Sequence, residues 1–259
     1  MSSTRKLVAA LACRVQGSRL YGKPLQNLKA NKTILDHILD CFEATPEIED
    51  VVLGISEGVE NLPFIDLAHR RNVSYIIGDQ KDVLWRLIQC GRAGAASDVF
   101  RITSECPFTA WEFLPDLWRD HVAHGYDITV VDRLPEGMHF EIYTLAALER
   151  IHSEGKDEHR SEYVSAYPRF NQDRFKIGIK LPSEKLQRLD LRLTVDYPED
   201  LVICRKVYLA LLDKNPRIST DAIIDYLDRN DGLKKLVSEF VVPEPVWYGV
   251  TGPAGQDQS

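Results

Sequence analysis

The residues of this sequence that could carry out chemistry are first concentrated in a short stretch after an apolar run. Leu7–Cys13 is apolar and short enough to form one buried strand. Three cations, Arg14, Arg19 and Lys23, follow it closely, together with the hydroxyl of Ser18 and two glycines. Glycines and cations that follow the carboxyl end of a strand suit the binding of a polyphosphate. Glycine lets the backbone approach a ligand closely, and the cations pair with the phosphates. On this stretch alone, a solvated basic turn is the alternative interpretation.

The same stretch has the spacing of a P-loop without its chemistry. Gly17 and Gly22 precede Lys23 at the P-loop distance, but Pro24 stands where a P-loop has Ser or Thr. Proline supplies neither the hydroxyl for magnesium nor a backbone donor. Any phosphates bound here must therefore be held in another manner.

Predicted strands and helices alternate through the first half of the chain and would position these residues. The hydrophobic pattern predicts strands at residues 7–13, 49–55, 73–77, 98–103 and 126–131, and helices at 31–43, 61–71, 82–95 and 109–122. This alternation is typical of an α/β fold with a mostly parallel central sheet and helices on both faces.

The second half of the chain breaks this rhythm. The pattern predicts strands at 137–143 and 175–179, a half-exposed strand at 186–195, a charged loop at 154–159, and helices at 145–152, 160–170, 198–212 and 220–240. We therefore expect a single domain over residues 1–240. The Pro- and Gly-containing tail, 241–259, is expected to be disordered or draped over the surface.

Composition excludes several classes of function. The chain has 259 residues and a net charge of −7, so no general attraction to nucleic acid or to an anionic membrane is expected. No apolar stretch is long enough to span a bilayer. The five cysteines are scattered, which argues against a disulfide framework or a zinc site and predicts a cytoplasmic protein.

Residues 14–25 resemble the signature Arg-x-x-x-Ser-Arg-Leu-x-Gly-Lys-x-Leu of the sugar cytidylyltransferases. These include the 3-deoxy-manno-octulosonate and acylneuraminate enzymes and, with the greatest resemblance, the spore coat polysaccharide biosynthesis protein F family. The matching residues are Arg14, Ser18, Arg19, Leu20, Gly22, Lys23 and Leu25, with Tyr21 in place of the usual proline. The resemblance implies a nucleotide-diphospho-sugar-transferase-like three-layer fold in which this loop wraps the triphosphate of CTP.

Two further motifs resemble the metal-binding segments of that family. Residues 98–107 resemble Arg-x-Thr-Gly-Asp-Cys-Pro, with Glu105 where the family has aspartate. Residues 191–201 resemble Leu-Arg-Leu-Thr-Val-Asp-x-Pro-Glu-Asp, which places Asp196 at the second metal carboxylate. The resemblance implies Mg²⁺, with Mn²⁺ as an alternative, on Glu105 and Asp196. Taken alone, Glu105 could be an exposed turn residue and Asp196 could cap the following helix.

Looser matches imply the remaining contacts. Residues 78–86 resemble a stretch near the cytosine of relatives, whereas residues 136–142 and 158–164 resemble segments on the acceptor side. The resemblance implies nucleotide contacts from Ala12, Arg14, Ser18, Arg19, Lys23, Asp82 and Thr103, and acceptor contacts from His139, Glu141 and Arg160. Arg14 and Lys23 are the expected catalytic residues. The resemblance runs from about residue 7 to residue 212.

The resemblance implies transfer of CMP from CTP to a small acidic acceptor, with release of pyrophosphate, in surface polysaccharide or glycoconjugate biosynthesis. The sequence leaves a homodimer as one alternative for the oligomeric state. Two other functions also stay open: a glycosyltransferase of the same fold, although no Asp-x-Asp motif supports it, and a non-catalytic nucleotide-binding member. Departures from the family pattern at Tyr21, Ser104, Glu105 and His139 leave room for the latter.

Overall fold

The structure is a computed structural model that describes residues 5–241 and Trp247. Strands and helices alternate over most of these residues. The strands are β1 (Leu7–Cys13), β2 (Asn27–Lys29), β3 (Lys32–Thr33), β4 (Asp50–Ser56), β5 (Ser74–Gly78), β6 (Asp98–Arg101), β7 (Ile128–Val131), β8 (Glu141–Thr144) and β9 (Ile177–Lys180). The α-helices are α1 (Ile34–Glu43), α2 (Leu62–Arg71), α3 (Val83–Ala93), α4 (Leu114–His124), α5 (Leu145–Glu154), α6 (Ala166–Phe170), α7 (Pro198–Leu211), α8 (Thr220–Asp228) and α9 (Asp231–Val237).

Seven of the strands form one central sheet in the order β5-β4-β1-β6-β8-β7-β9. The pairs β1–β4, β1–β6, β4–β5 and β7–β9 are parallel. Only β8 runs against both of its neighbours in this sheet. The mostly parallel α/β fold predicted from the sequence is confirmed. The small hairpin β2–β3 precedes α1 and is an addition to the predicted elements.

Both faces of the sheet are covered by helices, which makes three layers. Alternate residues of β1 enter two different cores, with Leu7 and Leu11 in one and Val8 and Ala10 in the other. The first core is completed by apolar side chains of α1, α2, α4, α7 and α8, and the second by side chains of α3 and α5. A strand buried on both faces explains why Leu7–Cys13 is a continuous apolar run and does not alternate.

The predicted half-exposed strand at residues 186–195 is wrong. The described residues of this stretch form only one isolated bridge, between Arg192 and Glu136. Residues 191–195 are buried at every position, including the polar ones. The alternation of polar and apolar residues was misleading because Arg192 points into a buried group of carboxylates and not into solvent.

Two predicted helices are shorter than the periodicity suggested. The predicted helix at 160–170 is reduced to α6, and the predicted helix at 220–240 is divided into α8 and α9. The division falls at Asn230, whose φ and ψ of −128° and 61° are not helical.

Most of the tail predicted as disordered or surface-draped lies outside the described residues. Trp247 is described, and only 4% of it is exposed. Its backbone N–H donates to Asp132 Oδ2 at 3.0 Å, and Arg169 lies over its ring at 5.3 Å. Within residues 5–241 and at Trp247, no helix combines the length and apolar character needed to cross a membrane.

A buried ionic network fastens the amino-terminal edge of the sheet. Asp98, the first residue of β6, is fully buried and accepts hydrogen bonds from Arg5 Nε at 2.8 Å and from Ser97 Oγ at 2.7 Å. His121 Nε2 lies 3.0 Å from Asp98 Oδ1, and its Nδ1 lies 2.7 Å from Thr129 Oγ1. Burial alone would raise the pKa of Asp98, but these hydrogen bonds outweigh it and hold that pKa below its usual range.

We expect Asp98→Asn to lower the free energy of unfolding by about 3 kcal/mol, because it leaves buried cationic and polar partners without their carboxylate. The stabilisation by ionised Asp98 should be present above the ordinary Asp pKa and should be lost as the pH falls through the lowered pKa of the folded state. Urea unfolding at several pH values measures both effects. Asp50→Asn, which removes a more exposed partner of Lys6 at 3.7 Å, is the matched control and should stay within about 0.5 kcal/mol of wild type. Equal decreases in the free energy of unfolding in the two variants would contradict a stabilising role of the buried network.

Candidate active site

The loop after β1 is closed by backbone hydrogen bonds at its base. Gly22 N–H donates to the Val15 carbonyl at 2.8 Å, and Val15 N–H donates to Asn61 Oδ1 at 2.8 Å. Gly22 adopts a φ of +61°, a left-handed conformation that favours glycine. A Cβ at Gly17 would lie 2.5 Å from the carbonyl oxygen of Leu20, so the turn also requires glycine there. The loop is therefore held at its base while its tip is exposed.

Lys23 ends this loop and binds Asp196. Its Nζ lies 2.5 Å from Asp196 Oδ1, and the Arg192 guanidinium lies 2.8 Å from Oδ2 of the same carboxylate. Arg19 approaches Oδ1 at 3.5 Å. Burial alone would raise the pKa of Asp196, but the three cations outweigh it and hold that pKa below its usual range. Asp196 is therefore an ionised carboxylate in a cationic environment.

Glu105 lies in the turn after β6 and faces the same cation. Val195 N–H donates to the backbone carbonyl of Glu105 at 3.2 Å, which joins the turn to the segment that carries Asp196. Burial raises the pKa of Glu105, the charge of Lys23 opposes this, and the negative charge of Asp196 adds to it. The fold therefore places both predicted metal carboxylates around one lysine.

The pair of carboxylates suits a hard cation. Among the described residues, no group of three or more His, Cys, Asp or Glu side chains could hold a metal ion. Mg²⁺ needs no such group, since it is usually bound through one or two carboxylates and takes its other oxygens from water and substrate phosphates. Glu105 and Asp196 supply oxygen donors of that type. They fit a metal that arrives with a nucleotide better than one held permanently by the protein.

A pocket opens between the loop, the start of α3 and the turn after β6. It encloses about 610 Å³, part of which is open to solvent. The predicted site residues that line it are Ala12, Arg14, Lys23, Thr103 and Glu105. β1 and β6 are adjacent and parallel, so the residues that follow both strands meet at one edge of the sheet. The Ser104 hydroxyl joins the two by donating to the Ala12 carbonyl at 2.9 Å.

Other predicted residues lie near this pocket or behind it. Arg19 reaches Asp196 but does not line the pocket, and Ser18 is exposed at the loop tip. Glu141 lies behind the pocket wall on β8, where it pairs with Arg101 of β6 at 3.2 Å. His139 is half-buried and lines neither this pocket nor the second depression.

Asp82 and Arg160 line a separate, more open depression together with the half-exposed Trp85. Asp82 caps α3, accepting from the Trp85 backbone N–H at 2.7 Å, and its other oxygen lies 2.7 Å from His152 Nε2. Arg160 pairs with Asp157 at 3.0 Å. The structure thus does not bring these two predicted residues into the pocket that holds Lys23 and Glu105.

Two residues that sequence reasoning did not single out also line the pocket. Glu162 binds Arg14 with an oxygen–nitrogen distance of 2.8 Å, and its backbone carbonyl accepts from Arg101 at 2.9 Å. Arg86 of α3 is only 1% exposed and donates to the carbonyls of Cys13 and Gly54 at 3.2 and 2.7 Å. Both residues lie in stretches that resemble functional segments of the family, Arg86 in 78–86 and Glu162 in 158–164, and those matches were the available signal.

Comparison with known proteins agrees with this architecture. No protein-family model matches the sequence. The spore coat polysaccharide biosynthesis protein SpsF of Bacillus subtilis is 24% identical over an alignment of 229 positions that covers 85% of this chain and 93% of SpsF.

Two solved structures share the fold. A cytidylyltransferase from Leptospira borgpetersenii has a TM-score of 0.81 and 22% identity, and the match covers 89% of this chain and 97% of that one. A CMP:2-keto-3-deoxy-manno-octonic acid synthetase complexed with CTP has a TM-score of 0.61 and 13% identity, over 80% and 100% of the two chains. At these identities the structural likenesses establish the fold.

The similarity to SpsF extends over nearly the whole of both chains. This chain is therefore similar to SpsF along most of its length, and it shares its fold with a cytidylyltransferase and with a synthetase complexed with CTP.

Proposed function

We propose that this chain is a metal-dependent cytidylyltransferase that transfers CMP from CTP to an acidic sugar or a similar small acceptor, with release of pyrophosphate. The observation that carries the proposal is that Lys23, which is paired with Asp196, lines one pocket with Glu105 at the edge where β1 and β6 end. Charge alternation of this kind suits a polyphosphate that arrives with a divalent cation. The proposed setting is surface polysaccharide or glycoconjugate biosynthesis in the cytoplasm.

The chemistry is an attack on the α-phosphorus of CTP by an acceptor hydroxyl oxygen, which gives up its proton to solvent as the new phosphorus–oxygen bond forms. The bond from the α-phosphorus to the oxygen that bridges to the β-phosphate breaks, and pyrophosphate leaves with that oxygen. Arg14, Arg19 and Lys23 would bind the phosphates and offset the charge that develops on them. Magnesium, when bound by Glu105 and Asp196, would supply further positive charge at the α-phosphate. Manganese is the alternative ion, since it also takes carboxylate oxygens.

The choice of CTP and of an acidic acceptor is supported by similarity. One neighbour of the same fold is complexed with CTP and is named for a sugar acid. Ala12 and Thr103 line the pocket and are the proposed base-side contacts. Four other predicted contacts to nucleotide or acceptor lie outside the pocket or behind its wall, and their roles stay predictions. They are Asp82, His139, Glu141 and Arg160.

A panel experiment tests the proposal. Pyrophosphate release is measured with each of the four ribonucleoside triphosphates, with and without EDTA, across neutral and acidic sugar acceptors. The expected result is release that requires CTP, a divalent cation and an acidic acceptor together. Hydrolysis or transfer from nucleotide sugars alone would favour a glycosyltransferase. Tight CTP binding without turnover would favour a non-catalytic member.

Glu162 is expected to compete with anionic ligands for Arg14. The Glu162 carboxylate forms a half-exposed ion pair with the Arg14 guanidinium, with an oxygen–nitrogen distance of 2.8 Å. Glu162→Gln should therefore leave the Arg14 guanidinium free to bind an anionic ligand. We expect the affinity for CTP to rise about twofold to fivefold, as measured by calorimetry. Glu158→Gln, in the same segment but outside the pocket, is the control and should change nothing. A loss of affinity in Glu162→Gln would mean that Glu162 itself binds the ligand.

A further inference from the structure

Arg19 of the loop rests on a pair of stacked aromatic rings. Its guanidinium carbon lies 4.9 Å from the centroid of the Tyr197 ring. The Tyr197 ring is also stacked on Phe240, with centroids 4.0 Å apart and planes inclined by 9°. An arginine over an aromatic face is attracted by the ring quadrupole, and the second ring fixes the first. We call Tyr197 and Phe240 the aromatic platform.

Polar contacts give Arg19 a defined direction on this platform. One guanidinium nitrogen donates to the Tyr197 hydroxyl at 3.5 Å, and the other lies 3.5 Å from Asp196 Oδ1. The side chain is nevertheless 45% exposed, so one side of the guanidinium faces solvent. The accessible side can bind an incoming anion while the other side stays on the ring.

The platform is anchored independently of the loop. The Tyr197 backbone N–H donates to Asp200 Oδ2 at 2.9 Å at the start of α7. Phe240 belongs to the short 3-10 helix Ser238–Phe240, which follows α9, and Phe240 packs against the main hydrophobic core. The motifs on which the resemblance to the sugar cytidylyltransferases rests end near residue 212, so Phe240 lies beyond all of them.

We propose that Tyr197 and Phe240 are positioning residues that hold Arg19 in the orientation in which it binds the triphosphate. The proposal rests on the proposed function for the identity of the anion. The loop tip is exposed and arginine has many rotamers, so ordering its side chain at the moment of binding would weaken affinity. The aromatic platform removes part of that loss before the nucleotide arrives. The carboxy-terminal segment thereby contributes to nucleotide binding without touching the nucleotide.

The first test is a double-mutant cycle on nucleotide affinity. The ligand is a CTP analogue with a methylene bridge between the α- and β-phosphorus atoms, measured by calorimetry with magnesium. Phe240→Leu should weaken binding about threefold to tenfold, whereas Phe240→Tyr, which keeps the ring, should restore wild-type affinity. In an Arg19→Ala background, Phe240→Leu should have no further effect, because the residue acts through Arg19.

The second test needs no nucleotide. Trypsin cleavage after Arg19 requires its side chain to leave the platform, so Phe240→Leu should accelerate cleavage of the Arg19–Leu20 bond in the free protein. Tyr126→Leu is the matched control, since it removes a comparable stack on His124, at 5.2 Å, at the opposite edge of the sheet. It should change neither affinity nor cleavage. Tyr197→Leu provides a second test if Phe240→Leu proves unstable by its Tm.

The outcomes separate this proposal from the proposed function. If the wild type binds no triphosphate, the proposed function fails and the cleavage comparison still decides on the platform. Unchanged affinity and unchanged cleavage in Phe240→Leu would overturn the platform. An equal loss of affinity with and without Arg19 would overturn it as well, because Phe240 would then act through another residue.

Discussion

Replacing Glu105 with alanine is expected to abolish pyrophosphate release, a fall on the order of a thousandfold or more. Glu105 lines the pocket together with Lys23, whose charge acts on its carboxylate, and it lies in the turn after β6. Its loss would leave Asp196 as the single proposed metal carboxylate, already in contact with cations. The measurement is the steady-state rate with CTP and the acceptor identified by the panel, across a titration of magnesium and manganese.

Glu105→Asp is expected to retain or improve turnover. Sugar cytidylyltransferases resemble this chain around residues 98–107 but carry aspartate at this position. Glutamate adds one methylene, which displaces the carboxylate oxygens by about one bond length. Magnesium tolerates such displacement poorly because it demands near-octahedral geometry. We therefore expect manganese to serve the wild type as well as magnesium does, and the aspartate variant to favour magnesium.

Controls make the Glu105 result interpretable. Glu60→Ala removes an exposed carboxylate that contacts Gln16 of the loop, and it should leave turnover near wild type. Full activity in Glu105→Ala would show that Glu105 has no role in the active site. If the wild type is inactive and Glu105→Asp releases pyrophosphate, the natural chain is instead a non-catalytic protein that binds nucleotide.

Lys23→Ala is expected to weaken binding of the CTP analogue about tenfold or more, because a charge-assisted contact to phosphate contributes roughly 1.5–3 kcal/mol. Its Nζ binds Asp196 in the free protein and would exchange that partner for phosphate in the complex. We expect the Tm of the free protein to change little, since Asp196 keeps Arg192 at 2.8 Å. Calorimetry and thermal unfolding measure the two effects separately.

Lys32→Ala is the matched control for Lys23→Ala. Lys32 forms a similarly half-buried pair with Asp40, also at 2.5 Å, away from the pocket. Its loss should alter stability to a comparable extent and leave nucleotide affinity unchanged. If neither Lys23→Ala nor Arg19→Ala alters CTP affinity, the loop does not bind the triphosphate.

The sequence by itself determined the α/β class of the fold and most strands and helices of the first half of the chain. Continuous apolar runs such as Leu7–Cys13 indicate strands buried on both faces, and their alternation with helices leads to a mostly parallel sheet. Parallel neighbours end at the same edge, so residues after β1 and after β6 had to meet. The adjacency of β1 and β6, which brings Lys23 and Glu105 into one pocket, was set by the tertiary structure.

Only the tertiary structure decided which charges face one another. Arg192 sits in a sequence that alternates like a half-exposed strand, yet it is buried because carboxylates of Glu136 and Asp200 surround it. Asp82 matches a nucleotide-binding stretch of relatives, yet it caps α3 and pairs with His152. Phe240 supports the loop from a segment that no motif marks. Local periodicity reports which side of an element is apolar, whereas these partners are set by packing between elements that are distant in the chain.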